Sequence, residues 1–170
     1  MAVWDLGVRL AHWVLALLIV VDLFNEAGAN PWHRYLGYAA AALVVVRLAY
    51  GWRLGGHPDP RAMLALARRA PAYASDLRAG GRARFVGHNP LGALMAFAVW
   101  ALVLSLALTG WMLQLDSFWG EDWLQDTHAL AAYALGGLIV VHVGGVWFTS
   151  RAYGTNLAVS MITGRKRLPD

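Results

Sequence analysis

Four apolar stretches, each about 20 residues or longer, decide what this chain can fold into. The first covers roughly residues 3–24 and contains LAHWVLALLIVV. The second, roughly 31–52, contains LGYAAAALVVVRLAYGW. The third, roughly 90–115, contains the uncharged run LGALMAFAVWALVLSLALTGWML. The fourth, roughly 123–148, contains HALAAYALGGLIVVHVGGVWF. A helix rises about 1.5 Å per residue, so about 20 residues cross a hydrocarbon layer about 30 Å thick. Composition agrees, because 14% of the 170 residues are charged, where a soluble domain carries about a quarter. The expected fold class is an all-α membrane protein, a bundle of four transmembrane helices. One domain is expected over residues 1–170.

Local signals punctuate these spans. Asn30-Pro31 and Asn89-Pro90 each read as an N-cap followed by proline at the first helical position. The connector 53–88 holds Pro58, Pro60, Pro71 and Gly80-Gly81, with room for one short surface helix near 62–69. After the fourth span come a polar turn, a short amphipathic stretch at 156–163, and Gly164-Arg165-Lys166-Arg167. The first span reads as a retained helix rather than a cleaved signal. Asp5 precedes it, Asp22 follows it, and no A-x-A site comes after.

Loop charge sets the expected orientation. The connector 53–88 carries Arg53, Arg61, Arg68, Arg69, Arg78, Arg82 and Arg84 against Asp59 and Asp76. The tail adds three more basic residues. The other connectors are acidic, with Asp22 and Glu26 in one and Asp116, Glu121, Asp122 and Asp126 in the other. Basic loops stay on the cytoplasmic side, so both termini and the long connector are expected there. Asp22 and Asp116 then fall at the outer interface. Trp32, Trp119 and Trp123 read as an outer aromatic belt, Trp52 and Trp147 as an inner one. The basic residues lie between apolar spans without interleaved exposed aromatics, a pattern that argues against nucleic-acid binding.

Within these spans the histidines stand out. His128 and His142 are 14 positions apart on the fourth span. That spacing leaves them within about 40° of one helix face and about 21 Å apart along the axis. His12 lies in the inner half of span one and His33 near the outer end of span two. Span four runs inward, so His128 is outer and His142 inner. His12/His142 and His33/His128 therefore match in depth, and ionisable groups at membrane depth point to function. Zinc and copper sites want a third or fourth ligand, usually Cys, Asp or Glu. The chain has no cysteine, and no acid lies at the depth of His142. Two imidazoles suffice for haem iron, whose other four ligands come from the macrocycle. Closing both axial positions favours electron transfer over oxygen binding. The absence of cysteine also excludes iron–sulfur clusters and covalent c-type attachment.

Further residues fit such a slot. His33, Gly37, Ala40, Val44 and Arg47 recur at helical spacing on one face of span two. Gly37 and Ala40 leave room for a flat macrocycle. Arg47, and Arg9 one turn from His12, read either as partners of inner haem propionates or as side chains snorkelling to headgroups. Gly136, Gly137, Gly144 and Gly145 thin span four, for a cofactor or for close helix packing. His57 and His88, beside the long connector, read as structural or solvated. No catalytic side chain is expected.

These residues resemble the bacterial di-haem cytochrome b family, the four-helix type that includes cytochrome b-561 and the nickel–iron hydrogenase cytochrome b subunits. The resemblance covers nearly the whole chain. It rests on VWDLGVRLAHW, HRYLGY, GHNPLGALM, THALAAYALGGLIVVH and NLAVSMITGRK. It implies two non-covalent b-type haems, ligated by the histidines that match His12, His33, His128 and His142. It also implies electron transfer in the bacterial inner membrane, within a respiratory chain, between a periplasmic redox partner and the quinone pool. The partner is expected to be a c-type cytochrome or an oxidoreductase subunit, docking on the acidic loops. A self-contained superoxide:quinone oxidoreductase ranks second, because the outer connectors offer Arg34 alone against six acids. A hydrogenase subunit ranks third, since those carry longer loops and tails. Assembly as a homo- or hetero-oligomer stays open.

Overall fold

A computed structural model describes residues 3–25, 31–54, 59–81, 85 and 87–165, and they are helical nearly throughout. Four long helices, α1 (Leu6–Leu23), α2 (Pro31–Leu54), α5 (Pro90–Met112) and α6 (Asp122–Tyr153), alternate in direction. All four are long and apolar enough to cross a membrane. Between α2 and α5 lie α3 (Pro60–Ala67) and α4 (Ala70–Arg78), and α7 (Leu157–Thr163) ends the described chain. The exterior is apolar: Leu17, Val46, Leu130, Val140 and Phe148 are each more than 60% exposed. Lipid is the solvent that tolerates such a surface.

Local chemistry sets the helix ends. The Asp5 side chain caps α1 by accepting from Val8 N–H at 3.1 Å. The Asn89 side chain caps α5 by accepting from Gly92 N–H at 2.7 Å, with Pro90 following. Asn156 caps α7 the same way through Val159 N–H. Gly154 ends α6 in the left-handed region, φ 62°, which glycine adopts without a Cβ penalty. The fourth span thus runs about five residues beyond its expected end. The Asn30 cap and His57 lie outside the described residues.

The long connector differs from expectation. Its described residues form two helices instead of one, and they are not surface decoration. Met63, Ala67, Ala70 and Tyr73 are buried, and both helices pack on α5. Met63 joins Ile19, Ala40, Val44, Trp100, Val103 and Leu135 in the core. At that same end, Gly164 C=O accepts Val3 N–H at 2.8 Å and Trp4 N–H at 3.2 Å, which fastens α7 to the start of α1. Gly7 permits the α1–α2 approach, since a Cβ there would lie 2.7 Å from the Tyr50 hydroxyl.

Candidate functional site

Histidines from separate helices meet at both ends of the bundle. The His12 ring on α1 faces His142 on α6, with centroids 6.1 Å apart and planes at 55°. The His33 ring on α2 faces His128 on α6, also at 6.1 Å, with planes at 78°. His128 and His142 share the unbroken α6, so the two pairs are about 21 Å apart along its axis. Helix α5 packs closely on α6, whereas α1 and α2 do not. Each pair therefore spans a gap between helices.

The separation of the rings has a chemical meaning. A metal–imidazole bond is about 2 Å, and the bonding nitrogen lies about 1.1 Å from its ring centroid, so two rings facing one metal ion sit about 6 Å apart. Both pairs have that spacing. Among the described residues there is no group of three or more His, Cys, Asp or Glu able to hold a metal ion. Two imidazoles per site, with no third ligand among the described residues, suit a cofactor that would bring further metal ligands of its own.

The His33–His128 pair is supported on its outer nitrogens. His33 Nδ1 lies 3.0 Å from Asp22 Oδ1, and His128 Nδ1 lies 2.7 Å from Thr109 Oγ1. Glycine makes space for the second contact: a Cβ on Gly110 would sit 3.3 Å from His128 Cε1, whereas one on Gly37 would be in ordinary contact, 3.7 Å from Asp22 Oδ2. The pair lines a cleft of ≈ 520 Å³ with Gly37, Ala40, Val103 and Leu135 in its walls, within the range for cofactor pockets. Its mouth is polar. The Arg34 guanidinium donates to Gln114 Oε1 at 2.9 Å, and Gln114 Nε2 donates to the Tyr38 hydroxyl at 2.6 Å.

The His12–His142 pair has fewer polar contacts among the described residues. Trp13 stands edge-on to His12 at 5.3 Å, and among the described residues neither imidazole makes a hydrogen bond. One turn below His12, the Arg9 guanidinium donates to the Ile162 carbonyl, while its buried Nε has no hydrogen-bond partner among the described residues. Arg9 lines a shallow crevice of ≈ 310 Å³ with Leu6, Leu10, Trp13, Met161 and Ile162. Arg47 is 7% exposed and lies over the Trp100 ring at 5.7 Å. His88 packs edge-on against Trp4 at 4.6 Å.

Several expectations change here. Arg47 does not snorkel to a surface, because it is buried against an aromatic ring. The glycine pairs of α6 do not serve close helix packing, since a Cβ on any of the four meets nothing within 4 Å. Asp22 is more than an outer-interface charge: its side chain is 16% exposed and engages His33. Thr109, Gln114 and Tyr38 were not legible as site residues. The available signal was Thr109-Gly110 interrupting the purest apolar run, and an acid in the last turn of an apolar span.

A family model described as prokaryotic cytochrome b561 matches residues 3–164. Neither the curated proteins nor the solved structures contain a match to the chain.

Proposed function

The chain belongs to the prokaryotic cytochrome b561 family, whose work is haem-based electron transfer in a membrane, and from that premise we propose that it carries electrons through two bis-histidine centres. His12 with His142 holds one b-type haem and His33 with His128 the other. The observation that carries this reading is the equal 6.1 Å separation of two imidazole pairs at opposite ends of one bundle. A haem held by each pair would supply a one-electron ferric/ferrous couple.

The protein's own part is positional and electrostatic. Helix α6 contributes one ligand to each centre, so a single rigid element sets their spacing. Apolar residues, Ala40, Val103 and Leu135 among them, line the His33–His128 cleft. Arg34, Gln114 and Tyr38 in the lining of the His33–His128 cleft would offer donors to the carboxylates of a bound macrocycle. Exposed Glu121, Asp122 and Asp126 suit a periplasmic partner with a basic docking patch, such as a c-type cytochrome.

Quinone exchanges electrons at the other end. The crevice one turn from His12 lies between α1 and α7, and the buried Arg9 Nε, without a partner among the described residues, offers an N–H to a carbonyl. Trp13 connects that crevice to the His12 ring. Both termini and the connector 53–89 are cytoplasmic, and the protein sits in the bacterial inner membrane as one domain over residues 1–170.

Haem extraction tests the reading directly. The purified chain should yield two haems, and His128→Ala should yield one. Replacement of both members of a proposed pair with no loss of haem refutes the assignment.

A further inference from the structure

We propose that Asp22 and Thr109 are positioning residues for the His33–His128 pair, and that they give the centre at that end the lower midpoint potential of the two. The inference rests on the bis-histidine reading above and adds an order to the two centres.

Hydrogen-bond directions follow from the bis-histidine reading. With Nε2 of each ring given to the metal, the ring hydrogen is on Nδ1. His128 Nδ1 lies 2.7 Å from Thr109 Oγ1, so the imidazole is the donor there. The single hydrogen of that hydroxyl is then free for its own helix, with Ser105 C=O at 2.9 Å and Leu106 C=O at 3.2 Å. An ionised carboxylate accepts and cannot donate, so His33 donates from Nδ1 to Asp22 at 3.0 Å. Both rings are thereby held as the Nδ1–H tautomer. The free lone pair is on Nε2 in each, the nitrogen available to a metal.

Such outer partners do more than orient a ring. A carboxylate accepting from an imidazole N–H makes the opposite nitrogen a stronger electron donor, which favours the oxidised metal. Asp22 adds a negative charge close to the centre, which acts in the same direction. A neutral hydroxyl on His128 has the weaker version of the effect. At the other end His12 and His142 have no such partner among the described residues; Trp13 stands edge-on to His12, and the Arg9 guanidinium one turn away is a cation, which favours the reduced metal there. The asymmetry makes the His33–His128 centre easier to oxidise. An electron entering there comes to rest preferentially at the His12–His142 centre, beside the crevice that carries Arg9.

The test is a spectroelectrochemical titration of the detergent-purified holoprotein, with low-spin EPR on the same samples. His33→Ala assigns the two potentials: it should remove one haem, and the lower potential should disappear with it. Asp22→Asn should raise that potential by a tenfold change in the electron-sharing equilibrium of the two centres, about 59 mV for a one-electron couple, and leave the other in place. Thr109→Val should move it in the same direction by less, and Thr109→Ser should restore it. The EPR signal of the same centre should move with it in each case. If Asp22→Asn does not assemble, the Thr109→Val and Thr109→Ser pair reads the same property at the other ligand. Potentials unmoved in these variants, or both potentials moved equally, overturn the positioning role. So does loss of the higher potential in His33→Ala. Retention of both haems in His33→Ala instead refutes the ligand assignment beneath it.

Discussion

Gly110→Ala sets two effects of opposite sign against each other, and their magnitudes decide the outcome. Gly110 lies inside α5, where replacing glycine by alanine stabilises a helix by about 0.5–1 kcal/mol. The added methyl would sit 3.3 Å from His128 Cε1, inside the optimal carbon–carbon separation of about 3.5–4.0 Å. The ring must give by a few tenths of an ångström. It is tied to Thr109 at 2.7 Å, one residue along the same helix, so it cannot retreat without straining that bond. Disturbing the outer partner of a metal-bound histidine costs roughly 10–100-fold in affinity, and tenfold is about 1.4 kcal/mol. The helix gain is therefore shared by the whole fold, while the loss falls on one centre. Thermal unfolding in detergent should be unchanged or slightly higher. Transfer of haem to an excess of a competing apoprotein should become about tenfold faster for the His33–His128 centre alone, followed by the reduced-minus-oxidised spectrum. Two haems leaving at wild-type rates, or earlier loss from the His12–His142 centre, refutes the argument.

Three more outcomes follow from the same geometry. The chain has no native cysteine, and Ser117 and Ser75 are both exposed; an impermeant thiol reagent added from the periplasm should label Ser117→Cys and not Ser75→Cys, and the reverse pattern inverts the orientation. Reduction by a basic c-type cytochrome in stopped flow should slow as salt rises, because exposed charges are screened over about 8–10 Å at physiological ionic strength; Glu121→Gln with Asp122→Asn should blunt that dependence, and rates indifferent to both changes remove the docking surface, while fast superoxide oxidation by the isolated protein favours the self-contained enzyme. Arg9→Gln should raise the KM for a soluble quinone several-fold, in line with about 1 kcal/mol for one hydrogen bond, with both haems retained; an unchanged KM places the quinone elsewhere.

The four spans and several of their ends were legible because they depend on neighbours in the chain. Asn89-Pro90 caps α5 with an acceptor and a fixed φ within one turn. Asn156 and Gly164 bound α7 by the same local rules. The spacing of His128 and His142 needs only helix geometry, and their pairing with His12 and His33 needs only alternating direction and matched depth. Hydropathy misread the connector, because α3 and α4 are short and turn only a few apolar residues toward α5. Nothing in residues 60–78 states which surface those residues will meet.

The rotation of each helix about its own axis was decided by the tertiary structure alone. In water a buried face is written as an apolar stripe. In lipid the outside is as apolar as the inside, so the stripe vanishes. Val44, Val45 and Val46 read identically, yet Val44 is fully buried while Val45 and Val46 are 55% and 61% exposed. The same rotation turns Asp22 onto His33, Thr109 onto His128 and Arg47 onto Trp100. Asp22 and His33 are 11 positions apart in the chain, and Thr109 and His128 are 19 apart. No helical period links such residues, and their meeting depends on how α1, α2, α5 and α6 pack. The sequence by itself therefore determined that four helices would carry histidines at two depths. Packing decided which side chains would stand behind those histidines, because that depends on interhelical rotation, which an evenly apolar span does not encode.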